Sequence, residues 1–158
     1  MKSFLETVVA TAFTEAQKAG GRGEIPVAAV VFAPETERIV AVASNRTEQD
    51  NDPCAHAEIL AIREACRKTG SPRLSGLDIY ATLEPCPMCA AAISFARLRR
   101  LYFGAYDVKG GAVEHGCRLY DAPTRLYTPE VYGGIAETQN ARLLESFFRA
   151  LRKNGEKR

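Results

Sequence analysis

Apolar residues recur along this chain at two spacings, and the switches between them outline its elements. In residues 2 to 19, Phe4, Leu5, Val8, Val9, Ala12 and Phe13 return at helical intervals until Gly20-Gly21 ends the run. Two β-rich runs follow, "PVAAVVF" (26–32) and "RIVAVAS" (38–44), joined by "APETE" as in a hairpin. "DPCAHAEILAIREACRKTG" (52–70) reads as a helix, with Asp52 and Pro53 before its first turn and Gly70 after its last. "GLDIYATLE" (76–84) predicts a strand, "PMCAAAISFARL" (87–98) a helix and "RRLYFGAY" (99–106) a strand. A long irregular segment (about 107–130) leads to a short strand at "EVYGG" and a closing helix, "ETQNARLLESFFRALRK" (137–153).

Strands separated by helices predict an α/β layered domain whose later strands are parallel. The chain has 158 residues and no repeat, low-complexity segment or linker, so one domain over 1–158 is expected. Helix 87–97 is small and apolar on nearly every side, which predicts burial all round and a subunit interface.

Composition adds little until charge and cysteines are placed. Apolar content of 46% and charge of 25% are ordinary for a soluble globular protein. Glu6 and Glu15 interrupt the N-terminal apolar run, so no export signal is expected there. No stretch approaches the roughly 20 apolar residues of a membrane span. A cytoplasmic protein with no membrane partner is the expectation. The net charge is +2, but Arg149, Arg152, Lys153, Lys157 and Arg158 against Glu156 give the tail +4, which leaves the body at −2. Charge alone reads this tail as a solvated one. The five cysteines (54, 66, 86, 89, 117) are odd in number, and two form C-x-x-C, which in a reducing compartment points to metal or redox chemistry.

Two motifs carry that chemistry. "CAHAEI" (54–59) sets His56 two positions from Glu58, and "EPCPMCAAAI" (84–93) sets Cys86 three from Cys89. At a helix start the two cysteines share a face, and the helix's positive end favours thiolates. C-x-x-C alone also fits a redox pair, but here prolines flank the first cysteine and the histidine would have no role. A lone histidine is more often structural than a ligand. Together, His56, Cys86 and Cys89 supply three ligands, the number a catalytic zinc uses while keeping a fourth position for water. Glu58 is placed to move a proton. Glutamates are also common at helix starts, and positions i and i+2 do not share a face on a regular helix, so its adjacency is inferred from the metal. H-x-E with a later P-C-x-x-C is the pattern of zinc deaminases.

On these motifs the chain resembles the cytidine-deaminase superfamily of zinc hydrolases and, within it, the bacterial tRNA-specific adenosine deaminases. The likeness runs through "EIPVAAVV", the turn "SNR", "DPCAHAEILAIREAC", "TLEPCPMCAAAISFARLRRLYFGAYDVKGGA" and "GIAETQNARLLESFFRALRK". It implies a three-layer α/β/α fold with a five-stranded mixed sheet, one Zn²⁺ per chain, and a homodimer with sites near the interface. It implies that His56, Cys86 and Cys89 hold zinc and that Glu58 shuttles protons. Asn45, with Ala57 and Pro85, would contact the flipped base, and Phe148, Arg149 and Arg152 would meet the RNA. The chain departs from the family pattern at Cys54, at "DVKGG" (107–111) and in "HGCRLYDAPTRLYTPEVY" (115–132).

Three functions remain open. The first is hydrolytic deamination of adenosine to inosine at the wobble position of a tRNA anticodon stem-loop. The second is deamination of a free nucleobase, guanine or cytosine, on the same zinc site. The third is a non-catalytic zinc-stabilised module, which needs a fourth ligand from Cys54, His115 or Cys117. The stripe of Leu143, Leu144, Phe147, Phe148 and Leu151 is read as core packing at Phe147 and as an RNA contact at Phe148.

Overall fold

The structure is a computed structural model and describes residues 3–124 and 126–156. Its elements are α1 (Phe4–Gly21), β1 (Ala28–Ala33), β2 (Arg38–Ser44), α2 (Ala57–Thr69), β3 (Asp78–Leu83), α3 (Pro87–Phe95), β4 (Arg100–Ala105), β5 (Glu130–Tyr132) and α4 (Glu137–Lys153), with one 3-10 turn at Leu119–Asp121. The five strands form one sheet in the order β2-β1-β3-β4-β5. β1 pairs antiparallel with β2 and β3, whereas β3–β4 and β4–β5 are parallel. The later strands are parallel, as the order of elements predicts, and the five-stranded mixed sheet is the one the resemblance implies.

Burial on both faces explains why β1 reads as an unbroken apolar run. Ala28, Val30 and Phe32 pack with Val8, Ala12 and Ala16 of α1, while Ala29 and Val31 pack with Ala57, Ala61 and Ala65 of α2 and with Ile93 of α3. Tyr80 and Ile79 divide β3 between the same two cores. Leu143 of α4 joins the α1 side, so helices cover both faces and the sheet is the middle of three layers.

Local chemistry sets several boundaries. Ser3 and Glu6 form a reciprocal capping box that starts α1. Gly70 stops α2 in the left-handed conformation (φ 70°), where its lack of a Cβ removes the steric cost. Gly104 is required by packing: a Cβ there would meet the Asn140 amide and the Thr82 carbonyl at the point where α4 seals β4.

One expectation needs correction. α2 starts at Ala57, several residues later than Asp52-Pro53 suggests, because residues before it are held in turns in which the Asp52 carboxylate accepts from the Cys54 N–H at 2.8 Å. Within one chain, Phe95 of α3 is 71% exposed and Ala91 and Ala92 are half-buried, so the chain itself leaves one apolar side of this helix uncovered.

Candidate active site

The late start of α2 reshapes the candidate site. His56 is its N-cap, with extended backbone (φ −73°, ψ 150°), and Glu58 is the second helical residue. The rule that i and i+2 diverge on a helix therefore does not apply, since His56 stands outside the helix. Cys86 is likewise the N-cap of α3 (φ −72°, ψ 173°), Pro87 fills its first position and Cys89 is the third helical residue. An N-cap side chain normally turns back over the third helical residue to satisfy free backbone N–H groups. Cys86 and Cys89 use that same geometry to converge, which corrects the picture of two cysteines on one helix face. Both helices start at the C-terminal side of sheet strands or their loops, and their positive ends meet at the cluster.

Ligand spacing fits a tetrahedral zinc. His56 Nδ1 lies 3.6 Å from Cys86 Sγ and 3.5 Å from Cys89 Sγ, and the three ligand atoms lie within 4.8 Å of one another. Zinc–nitrogen and zinc–sulfur bonds of about 2.0 and 2.3 Å at a tetrahedral angle would set nitrogen and sulfur about 3.5 Å apart. Among the described residues no fourth side chain joins this group. Cys54 and Cys117 are exposed, and His115 gives its imidazole to Glu84 at 2.8 Å. The zinc-stabilised module, which needs a fourth protein ligand, has none in place.

The thiols are coupled. The hydrogen bond that Cys86 receives from Cys89, aided by His56 and opposed by burial, holds the Cys86 thiol down at about 4. The same bond and burial push Cys89 up. The bond to Cys86 raises His56 against the opposing effect of burial. Thiolate and imidazole ligands bind a divalent cation in their deprotonated forms, so metal binding would release protons here.

Glu58 is 4% exposed, and its Oε2 accepts from Cys89 Sγ at 3.5 Å. Burial pushes its carboxyl above the usual carboxylate range. A buried carboxyl with a raised affinity for protons, beside a metal position, can both take and return a proton.

These groups line a cavity of about 130 Å³ that also includes Val27, Asn45 and Ala57. Asn45 and Ala57 are therefore in place beside the zinc ligands. Pro85 is buried outside the lining, and its carbonyl accepts from the Ala112 N–H at 2.9 Å. A groove of about 670 Å³ adjoins the cavity, sharing Ile25, Leu83 and Asp107, and is lined further by Lys109, Phe148, Arg149 and Arg152. Phe147, read as core packing, is half-buried like Phe148 and lies near the end of α1, 4.0 Å from a Cβ placed on Gly20.

The chain matches the model of the cytidine and deoxycytidylate deaminase zinc-binding region over residues 2–105. It belongs to that family. Zinc is accordingly the metal of the His56, Cys86 and Cys89 group. Among relatives of this deaminase, the tRNA-specific adenosine deaminase of Agrobacterium fabrum is 54% identical over 141 residues, covering 89% of this chain and 91% of that one. A solved structure from work on A-to-I editing by tRNA:A34 deaminases at the wobble position of transfer RNA is 52% identical, with a TM-score of 0.85 over 88% of this chain and 99% of that one. The guanine deaminase of Bacillus subtilis is 29% identical, with a TM-score of 0.59 over 94% and 93% of the two chains. The fold thus serves more than one base.

Sequence reasoning missed two buried carboxylates at this site. Glu24 is 1% exposed below the turn that carries Asn45, and Glu84 is 2% exposed beside Cys86. Glu84 accepts from the backbone N–H groups of Asp107, Val113, Glu114 and His115 at 3.0–3.2 Å, as well as from the His115 ring. Burial pushes its carboxyl up, but His115 and these N–H groups outweigh burial and the net direction is down. The only signal in the sequence was position: each glutamate abuts an apolar run ("EIPVAAVV", "TLEPC"), where a solvated carboxylate is out of place.

Proposed function

We propose that the protein deaminates adenosine to inosine in tRNA, at the wobble position of an anticodon stem-loop. The observation that carries this reading is the junction of the two cavities. A 130 Å³ pocket lined by His56, Cys86 and the buried Glu58 adjoins a 670 Å³ groove lined by Arg149, Arg152, Lys109 and the Phe148 ring. A free base needs only the pocket. A base extruded from an RNA loop needs the groove as well, for stacking and for its flanking phosphates. The relatives named above, at 54% and 52% identity, support the same substrate.

Bound zinc supplies a Lewis acid that makes water a nucleophile near neutral pH. The chain's residues do the rest. His56, Cys86 and Cys89 would hold the metal beside the cavity. Glu58 takes a proton from the attacking water and passes it to the purine ring nitrogen next to the reacting carbon, then takes the proton of the hydroxyl added at C6 and gives it to the departing amine. Water adds at C6 and ammonia leaves, so adenosine and water give inosine and ammonia. Asn45 and Ala57 hold the base.

The chain works as a homodimer in this proposal, joined through the uncovered side of α3, where Phe95 is exposed and Ala91 and Ala92 are half-buried. Sedimentation that finds a monomer at micromolar concentration contradicts that part. No helix among the described residues is long and apolar enough to cross a membrane, which is consistent with a cytoplasmic site of action. The assay is incubation with a stem-loop bearing a wobble adenosine and, separately, with free guanine and cytosine. Inosine in the RNA with no ammonia from the bases is expected. The reverse pattern overturns the proposal in favour of the free-base deaminase.

A further inference from the structure

We infer that Glu24 is a positioning residue that fixes the side-chain amide of Asn45, so that Asn45 offers the substrate a hydrogen-bond acceptor and no donor. The inference rests on the deaminase reading and concerns how that site selects its nucleotide.

Both hydrogens of the Asn45 amide are committed within the protein. Nδ2 donates to Glu24 Oε2 at 3.3 Å and to Thr47 Oγ1 at 3.4 Å. A carboxylate accepts and does not donate, so Glu24 can face only the NH₂ side of that amide. A flipped amide would set two acceptors against each other in a buried place, since Asn45 is 6% exposed and Glu24 is 1% exposed. Glu24 is itself held. Its Oε1 accepts from the Gln49 N–H at 2.6 Å and its Oε2 from the Glu48 N–H at 3.3 Å, so the carboxylate and the turn that follows Asn45 lock each other. The Asn45 N–H is tied to the Val27 carbonyl at 3.0 Å, which anchors the other side.

What remains is Oδ1. It has no protein partner among the described residues, it is not sealed from solvent, and Asn45 lines the catalytic cavity. The cavity therefore carries one fixed amide oxygen. That oxygen selects a hydrogen donor on the target nucleotide. An adenosine within an RNA strand has two such donors, the exocyclic amine and the ribose 2′-hydroxyl. A pocket built to pair with a donor discriminates strongly against an analogue that lacks it.

The test compares zinc-loaded wild type, Glu24→Gln, Asn45→Ala and the double variant on one stem-loop, prepared with adenosine or with 2′-deoxyadenosine at the target. Wild type must deaminate the ribose stem-loop. If it does not, the deaminase reading fails before Glu24 is tested. Glu24→Gln lets the new amide group turn toward Asn45 and reverse it, so kcat/KM should fall roughly tenfold, the size of one hydrogen bond. In the Asn45→Ala background the same substitution should cost nothing further. An equal loss in both backgrounds means that Glu24 acts only as a structural brace, and the inference is overturned. If the 2′-hydroxyl is the donor, the deoxy substrate slows wild type but leaves Asn45→Ala unchanged. If the amine is the donor, the deoxy substrate affects both alike. Should Glu24→Gln fail to fold, hydrogen exchange of the Asn45 side-chain amide in wild type decides. Both Nδ2 protons should exchange slowly with water, and fast exchange of either overturns the inference.

Discussion

The pocket and the groove share Ile25, Leu83 and Asp107, yet they are made of different material. The pocket is set by backbone. His56 and Cys86 are helix N-caps, Cys89 and Glu58 sit in first turns, and the carboxylates of Glu24 and Glu84 bind the loops around them through backbone N–H groups. Each of these side chains has one place to be. The groove is set by side chains on the exposed face of α4 and the loop after β4, where Arg149 and Arg152 are exposed and Phe148 is half-buried. Chemistry that moves protons between fixed atoms needs the first kind of construction. Contact with a flexible, charged strand needs only the second. Variants in the pocket should therefore act on metal and rate, and variants in the groove on affinity.

The largest effect is expected at a ligand. Cys86→Ala leaves two ligands and should lose zinc and activity together, with lower thermal stability because metal binding is coupled to folding. Metal analysis beside a melting curve checks this. A protein with full zinc and full activity would remove the site.

Glu84→Gln comes next and should act through stability. Gln cannot accept as many N–H groups, so the variant should melt lower at neutral pH, by roughly 1–3 kcal/mol for the unsatisfied buried donors. The sign of its pH dependence follows from the lowered carboxyl. A carboxylate depressed in the folded state contributes stability above its unfolded value of about 4.3, and that stability is lost as pH falls through the lower folded value. The gap between variant and wild type should therefore close in acid. A gap that stays constant from neutral pH to about pH 3 would show that Glu84 is not the anionic clamp.

Phe148→Ala should have a smaller effect, about 1–3 kcal/mol of stem-loop binding if the ring stacks on a base. The melting temperature should hardly move, because the ring lines the groove. A drop of several degrees with unchanged binding would show that the ring packs the fold and does not meet the RNA.

The same contrast decides what could be read from sequence. α4 over 137–153 and β2 over 38–44 match the segments read for them: α4 packs one apolar stripe, and β2 is a β-rich run whose residues reach both cores. The zinc ligands were legible because their chemistry is specific to residue type and spacing. Their placement as N-caps was not, since the Asp52 turn mimics a helix start about five residues early. Glu24 and Glu84 were illegible for another reason. Their partners lie more than twenty residues away, at Asn45, Gln49, Asp107 and His115, so only the folded chain brings acceptor and donors together. For α3 the sequence pointed to a subunit interface but not to its side, because an all-apolar helix does not say which side the same chain covers.

One measurement tests the division of labour most directly: single-turnover deamination of a stem-loop across enzyme concentrations, which separates the saturating rate from the half-saturating concentration. Glu58→Ala should keep its zinc and its RNA binding while the saturating rate falls by about 10²- to 10⁴-fold or more. Arg152→Ala with Lys153→Ala should keep the saturating rate and need more enzyme to reach it. The salt slope of its binding should be shallower by about 0.7 for each phosphate left without a cation. The account is contradicted if Glu58→Ala turns over near the wild-type rate, or if the double alanine variant slows the saturating rate and leaves binding untouched.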